Sequence, residues 1–289
     1  MKKIYLIFLL FCICLIQQRA NGQNFSEYIQ QNCIPVDSTG MLSEKIYQSL
    51  ISYRVIMMGE IHGTMEPAWF AGALTDLFIQ HGDTVLLGLE IPEARMQYPT
   101  SPKKFTAFKA PFFAEPDYYS GRESKDWAVL IDRFYNKKNV SLLYFDIPSG
   151  VDYHLRDSLM YVNIKNAILA HPSWRVITLS GNAHNQFNGP AIIKPVSMAD
   201  YIISDPQLRN TIKVCAINHY YEAGTCLANY GSGIEKHNIV GGVDVFNSAT
   251  TFNRYFLIAP PSPSNPYTAI FYTRTVHASV LVKAAENKN

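Results

Sequence analysis

The stretch that decides the fold is RVIMMGEIHGT, residues 54–64. Its first part, Arg54–Met58, is mostly apolar and contains no Gly, Pro or Asn, which predicts a buried strand. The strand runs directly into GEIHG at 59–63, so that Glu60 and His62 stand between glycines at its carboxyl end. Glycine lets the backbone turn sharply and lets a ligand approach closely. The stretch therefore predicts a core strand that delivers a carboxylate and an imidazole to one edge of a sheet.

A second stretch, RVITLSGNAHN at 175–185, nearly repeats the first. It also runs from Arg-Val-Ile through apolar residues into Gly-x-x-His, which ends at His184. Two further predicted strands end in an acidic residue: TVLLGLEIP at 84–92 carries Glu90, and VSLLYFDIP at 140–148 carries Asp146. Four predicted strands thus finish with a titratable side chain.

The whole chain alternates apolar strands with amphipathic helices. Such alternation is typical of an α/β fold, here a mainly parallel β-sheet flanked by helices, with an irregular helical or loop insertion over 99–116. The predicted helices lie at 42–52, 67–80, 126–136, 152–171 and within 195–210, and the predicted strands at 54–58, 84–92, 140–148, 175–180, 211–221 and within 267–282.

The N-terminus has the pattern of a signal peptide. Lys2 and Lys3 precede an apolar run over 4–16, and a small-x-small cleavage site follows at 20–22. The run is shorter than the about 20 apolar residues of a membrane-spanning helix. We predict cleavage after Gly22, with an uncleaved anchor as the alternative. The mature protein is then periplasmic or secreted, has no stable membrane anchor, and forms a single α/β domain over 23–289.

Charge and cysteine content narrow the possible functions. The chain has 25 Lys and Arg, 23 Asp and Glu and a net charge of +2, which becomes −1 when three basic residues leave with the signal peptide. A nearly neutral chain without basic runs gives no electrostatic footprint for nucleic acid. Cys215 and Cys226 could pair across a turn predicted at 222–225, which would leave Cys33 free. The sequence has no CxxC pair, so a cysteine-ligated zinc site is not expected.

The strand-end residues should converge, because ligands bind outside the carboxyl ends of parallel strands. Carboxylates beside imidazoles supply a general base, a general acid, or an oxygen-and-nitrogen metal site. We take Glu60, His62, Glu90 and His184 as the catalytic candidates. The alternative is structural, since a glutamate after a strand is often a helix cap or a surface group.

Four more residues are candidates for substrate binding. Arg156 could reach an anionic substrate group or form an ordinary ion pair. Asp157 suits the first turn of a helix, and Asp146 before Ile-Pro could cap a turn. Asn185 adjoins His184 in the motif GNAHN.

Together these motifs resemble the superfamily of erythromycin esterase-like, ChaN-like haem-binding and Tiki-type proteins. The resemblance rests on GE-x-HG at 59–63, the acidic end of the second strand, R-D-x-x-M-x-x-N-I at 156–164, GNAHN at 181–185 and AIFYTRTVHAS at 269–279. It touches most of residues 54–282. One departure is that the esterase motif usually has one more residue between its Glu and His than the single Ile61.

The resemblance implies different chemistry for each branch. The esterase branch is similar to hydrolases that activate water with a glutamate and a histidine and without a metal. The Tiki branch is similar to metalloproteases whose two Gly-x-x-His motifs carry the metal, which here would give His62, His184 and Glu60 as ligands. The ChaN-like branch binds haem. The cofactor therefore stays open between none, a divalent metal and haem.

Our leading hypothesis is an exported esterase-like or peptidase-like hydrolase of a small molecule or peptide, in which His62 is the general base. Glu60 and Glu90 orient it, and His184 stabilises the oxyanion or ligates a metal. The alternatives are a haem- or metal-binding uptake protein without turnover and an inactive scaffold. For haem, a group of aromatic residues in the insertion could line a porphyrin cleft or could equally form a packed lid: Phe105, Phe108, Phe112, Phe113, Tyr118 and Tyr119.

Overall fold

The fold is built on one nine-stranded sheet. The structure is a computed structural model, and it describes residues 25–37, 41–97, 105–114, 120–148, 150–187, 196–229, 231, 233–242, 246, 248–259 and 265–282. The strands are β1 (Ile34–Pro35), β2 (Val55–Glu60), β3 (Val85–Pro92), β4 (Val140–Asp146), β5 (Arg175–Gly181), β6 (Val214–Asn229), β7 (Ile234–Val240), β8 (Arg254–Ile258) and β9 (Ala269–Val276).

The strand order is β1-β8-β9-β6-β2-β5-β3-β4, and β7 pairs with β6 outside this path. The six strands from β4 to β9 along this order run parallel, whereas β1, β7 and β8 pair antiparallel. The consecutive strands β2 and β3 are not neighbours, because β5 lies between them. The predicted α/β class with a mainly parallel sheet is confirmed.

Helices cover both faces of the sheet. They are α1 (25–32), α2 (Glu44–Leu50), α3 (Glu66–Gln80), α4 (Glu93–Met96), α5 (Pro111–Ala114), α6 (Lys125–Phe134), α7 (Arg156–Ala170) and α8 (Met198–Ser204). Short 3-10 turns occur at Ala107–Lys109, Tyr153–Leu155 and Asn182–Asn185.

Burial on both faces explains why residues 55–58 of this stretch are all apolar. Ile56 and Met58 join the core beneath α3 and α6, whereas Val55 and Met57 join the core beneath α7 and α8. Every residue of β2 is buried. A strand that is covered on both faces reads as a continuous apolar run rather than as an alternating one.

The predicted turn at 222–225 is wrong, because β6 continues as one strand to Asn229. Gly224 serves close packing there, since a Cβ at this position would lie 2.1 Å from the carbonyl oxygen of Val276 on β9. Cys215 and Cys226 lie eleven residues apart along this strand, a separation of about 36 Å. A disulfide needs Cα atoms within about 7 Å, so these two cysteines cannot pair.

The sequence did not predict β1, β7 and β8, and predicted one or two strands where β9 is a single strand. The residues of β7 are all at least partly exposed and lack a long apolar run. Residues 1–24 lie outside the described residues, so the signal peptide and the domain boundary at residue 23 stay predictions. No helix in the described ranges is long and apolar enough to cross a bilayer.

Candidate active site

Glu60 and His62 form a hydrogen-bonded pair at the end of β2. His62 Nδ1 lies 2.5 Å from Glu60 Oε1, and Trp127 Nε1 donates to Glu60 Oε2 at 3.1 Å. The Glu60 side chain is fully buried, whereas that of His62 is 31% exposed. Because a carboxylate oxygen accepts, Nδ1 of His62 carries the hydrogen, and Nε2 is the nitrogen free to accept a proton.

Gly63 fixes the turn that presents this pair. Its φ of 80° lies in the left-handed region that favours glycine, and a Cβ would lie 2.0 Å from the carbonyl oxygen of Leu227. The carbonyl oxygen of Gly63 accepts hydrogen bonds from the backbone N–H groups of Leu227 at 3.0 Å and Ser279 at 2.8 Å. The turn is therefore held between β6 and the segment that follows β9.

Glu90, fully buried at the end of β3, is the centre of the site. Its Oε1 accepts hydrogen bonds from Arg156 Nη2 at 2.5 Å and Arg122 Nη1 at 2.9 Å. Its Oε2 accepts one from the backbone N–H of Gly181 at 2.7 Å. The carboxylate thus links β3 to the loop before α6, to α7 and to β5.

The charges around Glu90 keep it ionised. Burial alone raises the pKa of Glu90, but the positive charges of Arg122, of His62 and His184 in their protonated forms, and of Arg156 outweigh this effect, and the pKa lies well below its ordinary value. The Nε2 atoms of His62 and His184 lie 4.0 Å and 3.7 Å from Glu90 Oε1. Both imidazoles therefore face one buried negative charge.

Asp146, at the end of β4, completes the network around the two arginines. Arg156 binds it through two hydrogen bonds, Nε to Oδ1 at 3.0 Å and Nη2 to Oδ2 at 2.7 Å. Arg122 Nη1 donates to Oδ2 at 3.0 Å. Burial lowers the pKa of each arginine, but Glu90 and Asp146 outweigh it, so both pKa values are raised.

His184 is held by a carboxylate from another element. Its Nδ1 lies 2.6 Å from Asp157 Oδ1, and Asp157 Oδ2 accepts from the backbone N–H of Met198 at 3.0 Å. Arg156 Nη1 lies 3.4 Å from His184 Nε2. Burial lowers the pKa of His184, but Asp157 and Glu90 outweigh burial and the opposing charge of Arg156, so the pKa is raised.

The two imidazoles meet over Gly181. A Cβ at this position would lie 3.2 Å from His62 Nε2 and 3.6 Å from His184 Cδ2. The missing side chain at the end of β5 therefore leaves room for both rings beside Glu90. This arrangement can take a proton at one ring and donate one at the other.

The structure brings seven of the eight predicted site residues into one network: Glu60, His62, Glu90, Asp146, Arg156, Asp157 and His184. Asn185 is buried, and its Oδ1 accepts from Ser180 Oγ at 3.0 Å instead of joining the network. The individual roles stay predictions.

The predicted metal-ligand set of His62, His184 and Glu60 is not gathered around a common point. Across the described ranges, no group of three or more His, Cys, Asp or Glu side chains could hold a metal ion. The reason is local, because the two Glu60 oxygens bind His62 Nδ1 and Trp127 Nε1.

Sequence reasoning missed Arg122 and the polar role of Trp127. Arg122 follows the irregular insertion and belongs to no motif. Its position next to Gly121 is the one sequence feature that could have marked it as a site residue. Trp127 reads as a core residue at helical spacing, and it is buried in the core. Its indole N–H nevertheless reaches Glu60, which no sequence pattern indicates.

The protein resembles known proteins in its fold but not in its sequence. No protein-family model matches the sequence, and no curated protein matches it significantly. A Bacillus cereus protein superposes with a TM-score of 0.62 at 10% identity, covering 90% of this chain and 99% of its own. A succinoglycan biosynthesis protein gives 0.61 at 10% identity, covering 90% and 98%. An erythromycin esterase EreC mutant in its open conformation gives 0.56 at 11% identity, covering 83% and 95%.

These matches confirm the predicted likeness to erythromycin esterase-like proteins at the level of the fold. Their sequence identity of 10% and 11% is too low to transfer an activity. Function therefore has to be argued from the site itself.

Proposed function

We propose that this protein is an exported hydrolase of carboxylic esters or peptides in which His62 is the general base. The observation that carries the proposal is the His62–Glu60 pair, which fixes Nδ1 and leaves Nε2 of this partly exposed side chain beside ionised Glu90. A general base must reach its proton with the correct nitrogen free.

In the first step, His62 Nε2 removes a proton from water as the water oxygen attacks the carbonyl carbon. Glu60 accepts the hydrogen bond from Nδ1 and stabilises the imidazolium that forms. Glu90 adds a second negative charge near the same ring, 4.0 Å from Nε2. General-base catalysis of this kind contributes about 10²–10⁴-fold to a rate.

In the second step, the tetrahedral oxyanion collapses. The raised pKa of His184 keeps its proton to higher pH than in an ordinary histidine, so that Nε2–H can donate to the oxyanion. The carbonyl re-forms, the bond to the leaving group breaks, and the His62 imidazolium returns its proton to the leaving alcohol or amine. Asp157 acts as a positioning residue for His184 through Nδ1.

The haem-binding alternative gains no support from the insertion. Phe112 and Phe113 are buried in the main core, and Phe105 and Phe108 pack against it. These four residues form a packed layer rather than an open cleft. Tyr118 and Tyr119 lie outside the described residues.

The test is hydrolysis of a panel of p-nitrophenyl esters of graded acyl length and of fluorogenic peptides. We expect His62→Ala to lower kcat/KM at least about a hundredfold on any substrate that is turned over. His81→Ala is the matched control, because its side chain is 32% exposed and lies 3.1 Å from a glutamate, Glu44, at the opposite edge of the sheet. Equal rates in His62→Ala and the wild type, or no turnover across the panel, would contradict the proposal.

A further inference from the structure

A cavity of about 560 Å³ opens at the same edge of the sheet, on the far side of β9 from the His62–Glu60 pair. Its volume lies within the range of about 300–1,000 Å³ that is usual for small-molecule sites. It is lined by residues after β1, before and at the start of β8, and at the end of β9: 35–37, 252–254, 274, 275 and 277.

Arg254 is a preorganised cation in this cavity. Its guanidinium carbon lies 5.4 Å from the ring centre of Trp69 on α3, within cation–π distance. Its side chain makes no hydrogen bond or ion pair with any residue that the structure describes. A guanidinium has five N–H donors in a fixed fork that fits carboxylate and phosphate oxygens. Arg254 is thus held in place while its donors remain available.

Among the lining residues that the structure describes, arginines outnumber carboxylates two to one, although glutamates beside the cavity offset part of this charge. Arg274 also lines the cavity, although Glu222 at 3.6 Å offsets part of its charge. His277 adds an imidazole whose Nδ1 lies 2.7 Å from Glu66. Asp37 is the only carboxylate among the lining residues that the structure describes.

The remaining lining is mixed in character. Pro35, Val36 and Phe252 offer apolar surface, and Asn253 and Thr275 offer polar groups. An apolar wall beside a cation suits a ligand with a charged end and a small apolar body.

We propose that this cavity is a second, anion-binding site. It takes a small ligand that carries a carboxylate or phosphate oxyanion on an apolar group, with Arg254 as the principal contact. No lining residue in the described part of the chain belongs to the Glu60–Glu90–His184 network. The inference therefore stands apart from the proposed hydrolase activity.

Isothermal titration of the purified protein with phenyl phosphate, benzoate and neutral phenol tests the proposal. We expect saturable one-to-one binding of at least one anion and none of phenol. Arg254→Gln should weaken anion binding at least about tenfold, the scale of a lost charge-assisted hydrogen bond. Asp37→Asn should tighten it, because an opposing charge is removed.

Two controls separate the site from general effects. Arg209→Gln removes an exposed arginine elsewhere and should leave the affinity unchanged. His62→Ala should also leave it unchanged, so a failed hydrolase proposal and a failed anion site are distinguishable. Binding of phenyl phosphate alone assigns a phosphate ligand, and binding of benzoate alone assigns a carboxylate.

Three results would overturn the proposal. They are no saturable binding of either anion up to about 10 mM, equal affinity in Arg254→Gln and the wild type, and phenol binding as tight as that of the anions.

Discussion

His62 and His184 share one local geometry and differ in their surroundings. Each imidazole holds a carboxylate oxygen at Nδ1, at 2.5 Å for Glu60 and 2.6 Å for Asp157, and each points Nε2 at Glu90 Oε1. The partner of His62 stands two residues before it, at the last position of β2. The partner of His184 comes from α7, which ties that ring to a different layer of the fold.

The two imidazoles differ in their exposure to solvent and in the charges around them. The His62 side chain is 31% exposed, whereas that of His184 is 10% exposed and lies against Arg156. The raised pKa of His184 favours proton donation. The comparison teaches that a histidine–carboxylate pair does not define a role by itself, because the surrounding charges and access to water decide it.

Removing the charge of Glu90, which both imidazoles face, should have the largest effect on stability. In Glu90→Gln, the partly buried Arg122 and Arg156 keep only Asp146 as a carboxylate partner among the described residues. Breaking a buried ion pair costs about 3–5 kcal/mol, so we expect a loss of this size in the free energy of unfolding, measured with urea. Hydrolysis should fall as well, because both imidazoles lose the charge they face.

The control for this loss is Asp76→Asn. Asp76 also lies between two cations, Arg133 and Lys137, but these are more than a third exposed. A surface pair contributes about 0–1 kcal/mol. If Glu90→Gln were no more destabilising than Asp76→Asn, the buried centre would not hold the four elements together.

Removing the charge of Asp157, the hydrogen-bond partner of His184, should have an intermediate effect on stability. In Asp157→Asn, His184 loses the negative charge at Nδ1, so its pKa should fall and the free energy of unfolding at pH 6 should drop by about 1–3 kcal/mol. The His184 Cε1–H resonance, followed against pH by NMR, measures the pKa. An unchanged His184 titration would show that Asp157 does not set the charge of this ring.

The dependence of stability on pH has two limbs with opposite causes. Glu90 has a lowered pKa, so its contribution is present above its unfolded pKa of about 4.3 and is lost as the pH falls below it. His184 has a raised pKa, so its contribution is present below about pH 6.5 and is lost as the pH rises through its folded pKa. Urea unfolding from pH 3 to 9 should show both limbs in the wild type and a weaker alkaline limb in Asp157→Asn.

A methyl group placed between the two rings should have the smallest effect on stability. At Gly181, φ of −54° and ψ of 141° are accessible to alanine, but the new Cβ would lie 3.2 Å from His62 Nε2. We expect Gly181→Ala to change stability by less than about 1 kcal/mol and to lower kcat/KM about tenfold through displacement of the ring. Gly242→Ala, where no atom lies within 4 Å of the added Cβ, should change neither quantity.

Most of the site residues that the sequence predicts are carried by strand ends, and Arg156 and Asp157, which open α7, are the exceptions. Glu60, Glu90, Asp146 and His184 follow apolar runs, and parallel pairing brings such ends together whatever the loops do. Arg122 could not be predicted, because it reaches Glu90 from a loop without periodic pattern. Likewise, β7 lacked the signal of a buried strand, because among the described strands it pairs only with the second half of β6, and its residues are all at least partly exposed.

The position of β5 between β2 and β3 also sets the order in which the site can assemble. A chain synthesised only as far as β4 already contains Glu60, Glu90, Arg122 and Asp146, yet its two central strands still lack the neighbour that separates them. The pairing of Glu60 with Gly181 closes a long stretch of chain, which makes it a slow, non-local step. Refolding protein should therefore regain helical signal before the pairing of β2 with β5 brings Glu60 and Gly181 together.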